Sequence, residues 1–216
     1  MPRTVLALHV LFFAAGGVVL SLDAPAKGWG VLGCVVAYVV LLPLAAHRDG
    51  RPELQALALF LAGVSVFQVV PDWVLADVLG ILAFPDTGGL RVDDVIPLAM
   101  AGMWVAPLFI ALALAGARPG RSALFAVLVF AGAEFAAPTL GLWEPIGDTT
   151  RVAGIAIYVL PAEAALAWAT AVAFNATRTA AVAARIAVAA AVSTFYLGAL
   201  VTAYFLIDVA GYSLTR

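Results

Sequence analysis

Hydrophobic residues run in long unbroken stretches along this chain, punctuated by Gly, Pro and charge, over residues 4–22, 29–46, 53–70, 95–116, 122–142, 152–174 and 186–210. A helix crossing a bilayer takes about 20 predominantly apolar residues, so the pattern predicts seven crossings. The breaks carry turn chemistry: His47-Arg48-Asp49-Gly50-Arg51-Pro52, Ala117-Arg118-Pro119-Gly120-Arg121, and Asn175 to Arg178. None is long enough to be a domain of its own. Residues 1–216 are therefore expected to form a single transmembrane domain, an all-α integral-membrane bundle of about seven transmembrane helices. Pro71 interrupts an apolar pattern that otherwise runs from the third span to Phe84. One helix over all of it would be about 48 Å long, against a hydrocarbon core of about 30 Å. A short extra helix near 73–84, at the interface or folded back, is expected instead.

Composition agrees with the pattern. Hydrophobic residues make up 65% and charged residues 11%, with a mean hydropathy of +1.10, where a soluble domain runs near 45–50% apolar and about 25% charged. A water-soluble fold is excluded. The formal net charge of −2 leaves no basic footprint for phosphates, so nucleic acid is not an expected partner. Cys34 is the single cysteine and lies in an apolar run, which removes disulfides and cysteine metal sites. Ten Arg to one Lys, with abundant Ala, Gly and Val, suggest a GC-rich genome and a prokaryotic cell membrane. The 19 apolar residues from Thr4 to Leu22 exceed the roughly 7–15 of a signal-peptide core, so they are read as a retained first helix. Arg3, Arg48, Arg51, Arg118, Arg121, Arg178 and Arg185 fall on one side of the expected membrane. The positive-inside rule then puts the N-terminus in the cytoplasm.

Most acidic residues sit at span ends, but Glu134 and Glu163 lie deep in apolar sequence. An ionisable group at mid-membrane costs roughly 2.5–3.5 kcal/mol on insertion scales and needs a partner, a cavity or a job. Glu134 is 12 residues in from Ser122, about 18 Å, and Glu163 is 11 residues in from Val152 on the next, antiparallel helix, about 16 Å. Both are thus expected near mid-depth at one level. Pro138, Pro145 and Pro161 lie close by, and proline-broken backbone is tolerated in a membrane where it lines a cavity. Asp72, at the outer end of the third span, is the third candidate. The structural alternatives are helix-to-helix hydrogen bonds for the two glutamates and an N-cap for Asp72. Glu144, Asp148, Asp86 and Asp93-Asp94 read as solvated loop charges. Trp73, Trp104, Trp143, Trp168 and Tyr158 could line a pocket or belong to an interfacial aromatic belt.

Several membrane chemistries fail on the residues present. A retinal Schiff base needs a Lys in the last helix, and the only Lys is Lys27, outside the spans. The DDxxD pattern that holds Mg²⁺ on a diphosphate is not met, because Asp93-Asp94 is followed by Val95, Ile96 and Pro97. His9 and His47 build neither a zinc hydrolase motif nor a serine-protease pair. What remains is carboxylic acids among aromatics in an apolar hollow. Burial favours the neutral carboxyl form, so such a group can act as a Brønsted acid. A carbocation made by protonating an alkene or epoxide is stabilised by aromatic faces and protected by dryness.

In size, span count and intramembrane acids the chain resembles the small seven-helix integral-membrane terpene cyclases of fungal meroterpenoid and bacterial indole-terpenoid pathways. The stretches that carry the likeness are Gln68-Val69-Val70-Pro71-Asp72-Trp73, Ile96-Pro97-Leu98-Ala99-Met100-Ala101-Gly102-Met103-Trp104, and Tyr158-Val159-Leu160-Pro161-Ala162-Glu163. The resemblance implies a cyclase that uses no metal or other cofactor and acts on a lipophilic isoprenoid drawn from membrane lipid. Asp72, Glu134 and Glu163 would be its candidate acids, and Gln68, Trp73, Trp104, Trp143, Tyr158 and Phe135 its candidate substrate contacts. Membrane carotenoid hydratases and lycopene cyclases are similar in the same features. A small-solute or proton-coupled transporter, with the glutamates as carriers, and a scaffold whose acids pin helices together remain the rivals. Oligomeric state is not legible.

Overall fold

The computed structural model describes residues 1–210; the last six residues of the expected domain lie outside the described residues. The chain is an all-α membrane bundle. Its helices are α1 (Arg3–Leu20), α2 (Ala26–Arg48), α3 (Pro52–Val78), α4 (Met100–Ala115), α5 (Pro119–Leu140), α6 (Val159–Ala176) and α7 (Val182–Val209). Six of the seven are long and apolar enough to cross a membrane, and α4 is the shorter one. Consecutive helices run antiparallel. Tight turns join them at the end that carries Arg3, Arg48, Arg51, Arg118, Arg121, Arg178 and Arg185; the opposite end carries the long segments 79–99 and 141–158.

Helix α3 corrects the expected break at Pro71. The backbone stays helical through Gln68, bends there, and continues to Val78 with a final π-helical turn over Val74–Val78. The short helix expected near 73–84 is thus the end of α3, and residues 79–84 turn at Gly80 (φ +64°) into the strand Leu82–Ala83. Proline removes the donor to the carbonyl four residues back, here that of Phe67. Ser193 of α7 donates its hydroxyl to that oxygen at 2.7 Å, so the freed acceptor is satisfied inside the bundle.

The long segments form a lid over one end. Strand β1 (Leu82–Ala83) pairs with β4 (Glu144–Pro145), which ties the two segments together, while β2 (Arg91–Val92) pairs with β3 (Ile96–Pro97), and β5 (Arg151–Val152) with β6 (Ile155–Ala156). Arg91 holds the first segment in shape, its guanidinium donating to the carbonyls of Phe84, Pro85, Asp94 and Val95. Ile96–Pro97 and residues 152–158 were expected inside spans. They belong to the lid, so α4 and α6 start late, at Met100 and Val159.

Helix α1 is tied down at its arginine-end half. Asp49, from the turn after α2, accepts from the N–H of Thr4 (2.9 Å) and Val5 (3.1 Å) and from the Thr4 hydroxyl (2.6 Å). Pro2 supplies no side-chain cap, so Asp49 caps this helix from another part of the chain. The Thr4 hydroxyl bond first, then the two amide bonds, hold the Asp49 carboxyl below its ordinary value. A lowered folded-state value means that this cap persists above the ordinary aspartate range and is lost as pH falls through the lowered one. In NMR spectra of the detergent-solubilised protein, the Thr4 and Val5 amide resonances are expected to shift together at that acidic midpoint and to stay put in Asp49→Asn.

Candidate functional site

A cavity of about 540 Å³ opens between the helices just beneath the lid, inside the roughly 300–1,000 Å³ range of small-molecule sites. Its wall is apolar except for a few groups, and Asp72 from α3, Glu134 from α5 and Glu163 from α6 are among them. Among the described residues no Lys, Arg or His lines it. The three acids are buried and lie within electrostatic range of one another. The two glutamates come from antiparallel neighbours and share one hollow, but not at mid-depth. Glu134 lies six residues from the end of α5 and Glu163 four from the start of α6, about 9 Å and 6 Å below the lid. Residues 152–158 go into the lid, so the helical path to Glu163 is shorter than its sequence position suggests.

The indole of Trp104 donates to Asp72 Oδ2 at 3.1 Å, and that of Trp143 to Glu134 Oε1 at 3.0 Å. An indole N–H only donates, so each of these oxygens is an acceptor. Asp72 is therefore no N-cap; it sits inside the continuous α3 and reaches across to α4. Glu163 differs from both. Its Oε2 makes no hydrogen bond among the described residues, and neither does the hydroxyl of Tyr158, another lining residue.

Trp104, Trp143 and Tyr158 line the cavity; the other expected contacts do not. Phe135 is 64% exposed: one residue along a helix is a turn of about 100°, which points it outward where Glu134 points in. Trp73 is turned toward the lid, its indole donating to Asp93 at 3.1 Å. Gln68 is fully buried in α3 beyond the cavity wall, with neither amide atom bonded.

Sequence reasoning missed Tyr196 and Phe130. Tyr196 stacks edge-on to Trp104 with ring centroids 5.5 Å apart, and Phe130 lies 5.4 Å from the same indole. Together they form an aromatic corner beside Asp72. A tyrosine in the interior of the last span, away from the interfaces where tyrosine collects, was the available signal.

The family model of a domain of unknown function, DUF6989, matches residues 69–207. The chain belongs to this family. No curated protein and no solved structure matches it. The DUF6989 match begins three residues before Asp72 and takes in all three acids, the aromatic corner and both lid segments. Helices α1 and α2 lie outside it.

Proposed function

We propose that the chain is a metal-free membrane terpenoid cyclase that starts carbocation cyclisation by protonating an isoprenoid alkene or epoxide. One observation carries this reading: three buried carboxyl groups from three helices meet, without a basic partner among the described residues, on the wall of an otherwise apolar cavity bordered by aromatic rings. Such groups are costly to bury and are kept for function when nothing neutralises them. Glu163 is the donor best placed by its bonding. One oxygen of Asp72 and one of Glu134 accept from indoles, whereas Glu163 Oε2 has no hydrogen-bond partner among the described residues.

In the forward step the Glu163 O–H bond breaks and its proton forms a C–H bond with the π pair of an alkene, or an O–H bond on an epoxide oxygen as a C–O bond of that ring breaks; either leaves a carbocation. The carbocation is attacked by an internal alkene and closes a ring. The faces of Trp104, Phe130 and Tyr196 stabilise the charge. Loss of a proton from the cyclised cation to Asp72 or Glu134 restores neutrality, and transfer among the neighbouring carboxyl groups returns it to Glu163. The reading needs the positive-inside orientation only for its sidedness: the N-terminus is then cytoplasmic and the cavity lies in the outer half of a prokaryotic cell membrane. The arginine-end half of the bundle is filled by buried Leu57, Leu61, Leu108, Phe109, Leu166 and Phe174, which favours a closed reaction chamber over a transporter's path between faces.

The class of chemistry is tested by mass spectrometry of lipid extracts from a host that supplies linear isoprenoids and their terminal epoxides. Cells carrying the wild type are expected to contain a cyclised product. It is expected to be absent with the Asp72→Asn, Glu134→Gln, Glu163→Gln triple variant at equal membrane abundance. Identical profiles would overturn the proposal.

A further inference from the structure

We infer that the cavity is loaded sideways from the bilayer, through a mouth between α1 and α5, by a lipophile dissolved in the membrane. The observation is a coincidence of two properties. Among the lining residues three are also among the exposed residues: Phe13, Gly17 and Gly132. All three lie on α1 and α5, and none lies on the lid. A residue that faces the cavity and the surroundings at once marks an opening, so the opening is toward lipid.

The packing explains why a gap persists there. The buried residues of α1 are Val5 and His9, both in its first half, where His9 bonds to Tyr38 of α2 at 3.0 Å. No residue of its second half is buried: Phe12 and Val19 rest on α2, against Tyr38 (ring centroids 4.3 Å apart) and Gly30, while Phe13, Gly16, Gly17 and Leu20 border the cavity. On both sides of the gap the wall is small: a Cβ added at Gly16, Gly17 or Gly132 would meet nothing within 4 Å. Side chains there would fill space that the fold keeps open. Gly17 is three residues from the end of α1 and Gly132 eight from the end of α5, about 5 and 12 Å below the lid, a level of acyl chains rather than of water. The route toward water is roofed instead. Leu82, Phe84, Leu142 and Trp143 cover the cavity from the lid, and the β1–β4 pairing holds the two roof segments together. The occupant that fits is an apolar molecule that never leaves the bilayer to enter.

The inference rests on reading the cavity as the substrate site, but not on the chemistry done there. It is tested by occupancy. The protein is reconstituted in phosphatidylcholine vesicles containing a C15 isoprenoid alcohol that bears a diazirine, and after irradiation the labelled peptides are mapped. The wild type is expected to be labelled on the peptides carrying Trp104 and Phe130. The Gly17→Leu, Gly132→Leu double variant is expected to lose that labelling. Gly198→Leu, also at a site with open space but outside the lining, keeps it. Glu163→Gln also keeps it, so failure of the catalytic proposal is told apart from failure of the entry route. Absence of cavity labelling in the wild type, unchanged labelling in the double variant, or equal loss in Gly198→Leu would overturn the inference.

Discussion

Glu163→Gln is expected to lower turnover by about 10²–10⁴-fold, the usual contribution of a positioned proton donor, while the protein keeps its melting temperature in detergent. Glutamine fills the same volume and presents no acidic proton. Its burial leaves the packing of α6 on α5 and α7 intact, and because Glu163 Oε2 has no partner among the described residues, no hydrogen bond through that oxygen is lost. Glu134→Gln and Asp72→Asn behave differently. Each leaves the amide oxygen able to accept from Trp143 or Trp104, but changes the group that would take up the final proton. These variants are expected to alter the product, toward water-quenched alcohols in place of alkenes, with a smaller fall in substrate consumption. If substrate disappears as fast with Glu163→Gln as with the wild type, and stops with Asp72→Asn, then the acid is Asp72 and the bonding argument for Glu163 is wrong.

The bundle was legible in the sequence because each of its helices must present apolar side chains over most of its length, and that requirement leaves long runs. The lid was not. Its three strand pairs are each two residues long, too short for an alternation to register, and Ile96, Val152 and Ile155 read as the first turns of spans. The acids stood out because a charge-bearing side chain in an apolar run has few innocent explanations. Their depth did not, since it depended on where α6 begins. Pro71 is the clearest case of a local signal overruled by a distant residue. The break it predicts follows from the lost donor at position 71, and the repair follows from Ser193, more than a hundred residues later. Phe135 and Trp73 failed for a simpler reason: adjacency in sequence to an acid is not adjacency on a helix face.

Gly28→Ala is expected to be the most damaging single methyl added to this chain, lowering stability by about 1–3 kcal/mol, as overpacking does. Gly28 lies in the first turn of α2, where the lid touches the bundle. A Cβ built there would sit 1.8 Å from the carbonyl oxygen of Gly88 and 2.8 Å from that of Thr87, and the Gly28 N–H donates to the Thr87 oxygen at 2.9 Å. The obstacle is backbone, so no rotamer change relieves it. The lid segment has to move as a body, and Gly88 has little room of its own, because a Cβ on it would meet Pro25 at 2.6 Å. That segment also carries Leu82 and Phe84 to the cavity roof, so displacement would open the chamber to water, which under the proposed chemistry would quench a carbocation early. Gly33→Ala is the control: it is on the same helix, with nothing within 4 Å of the added carbon, and helix propensity alone would favour alanine there by about 1 kcal/mol. Thermal unfolding in detergent should therefore move in opposite directions for the two variants, and hydrogen exchange at residues 82–92 should rise only in Gly28→Ala. Equal melting temperatures would mean that the lid does not rest on α2, and with it the closed roof would have to be given up.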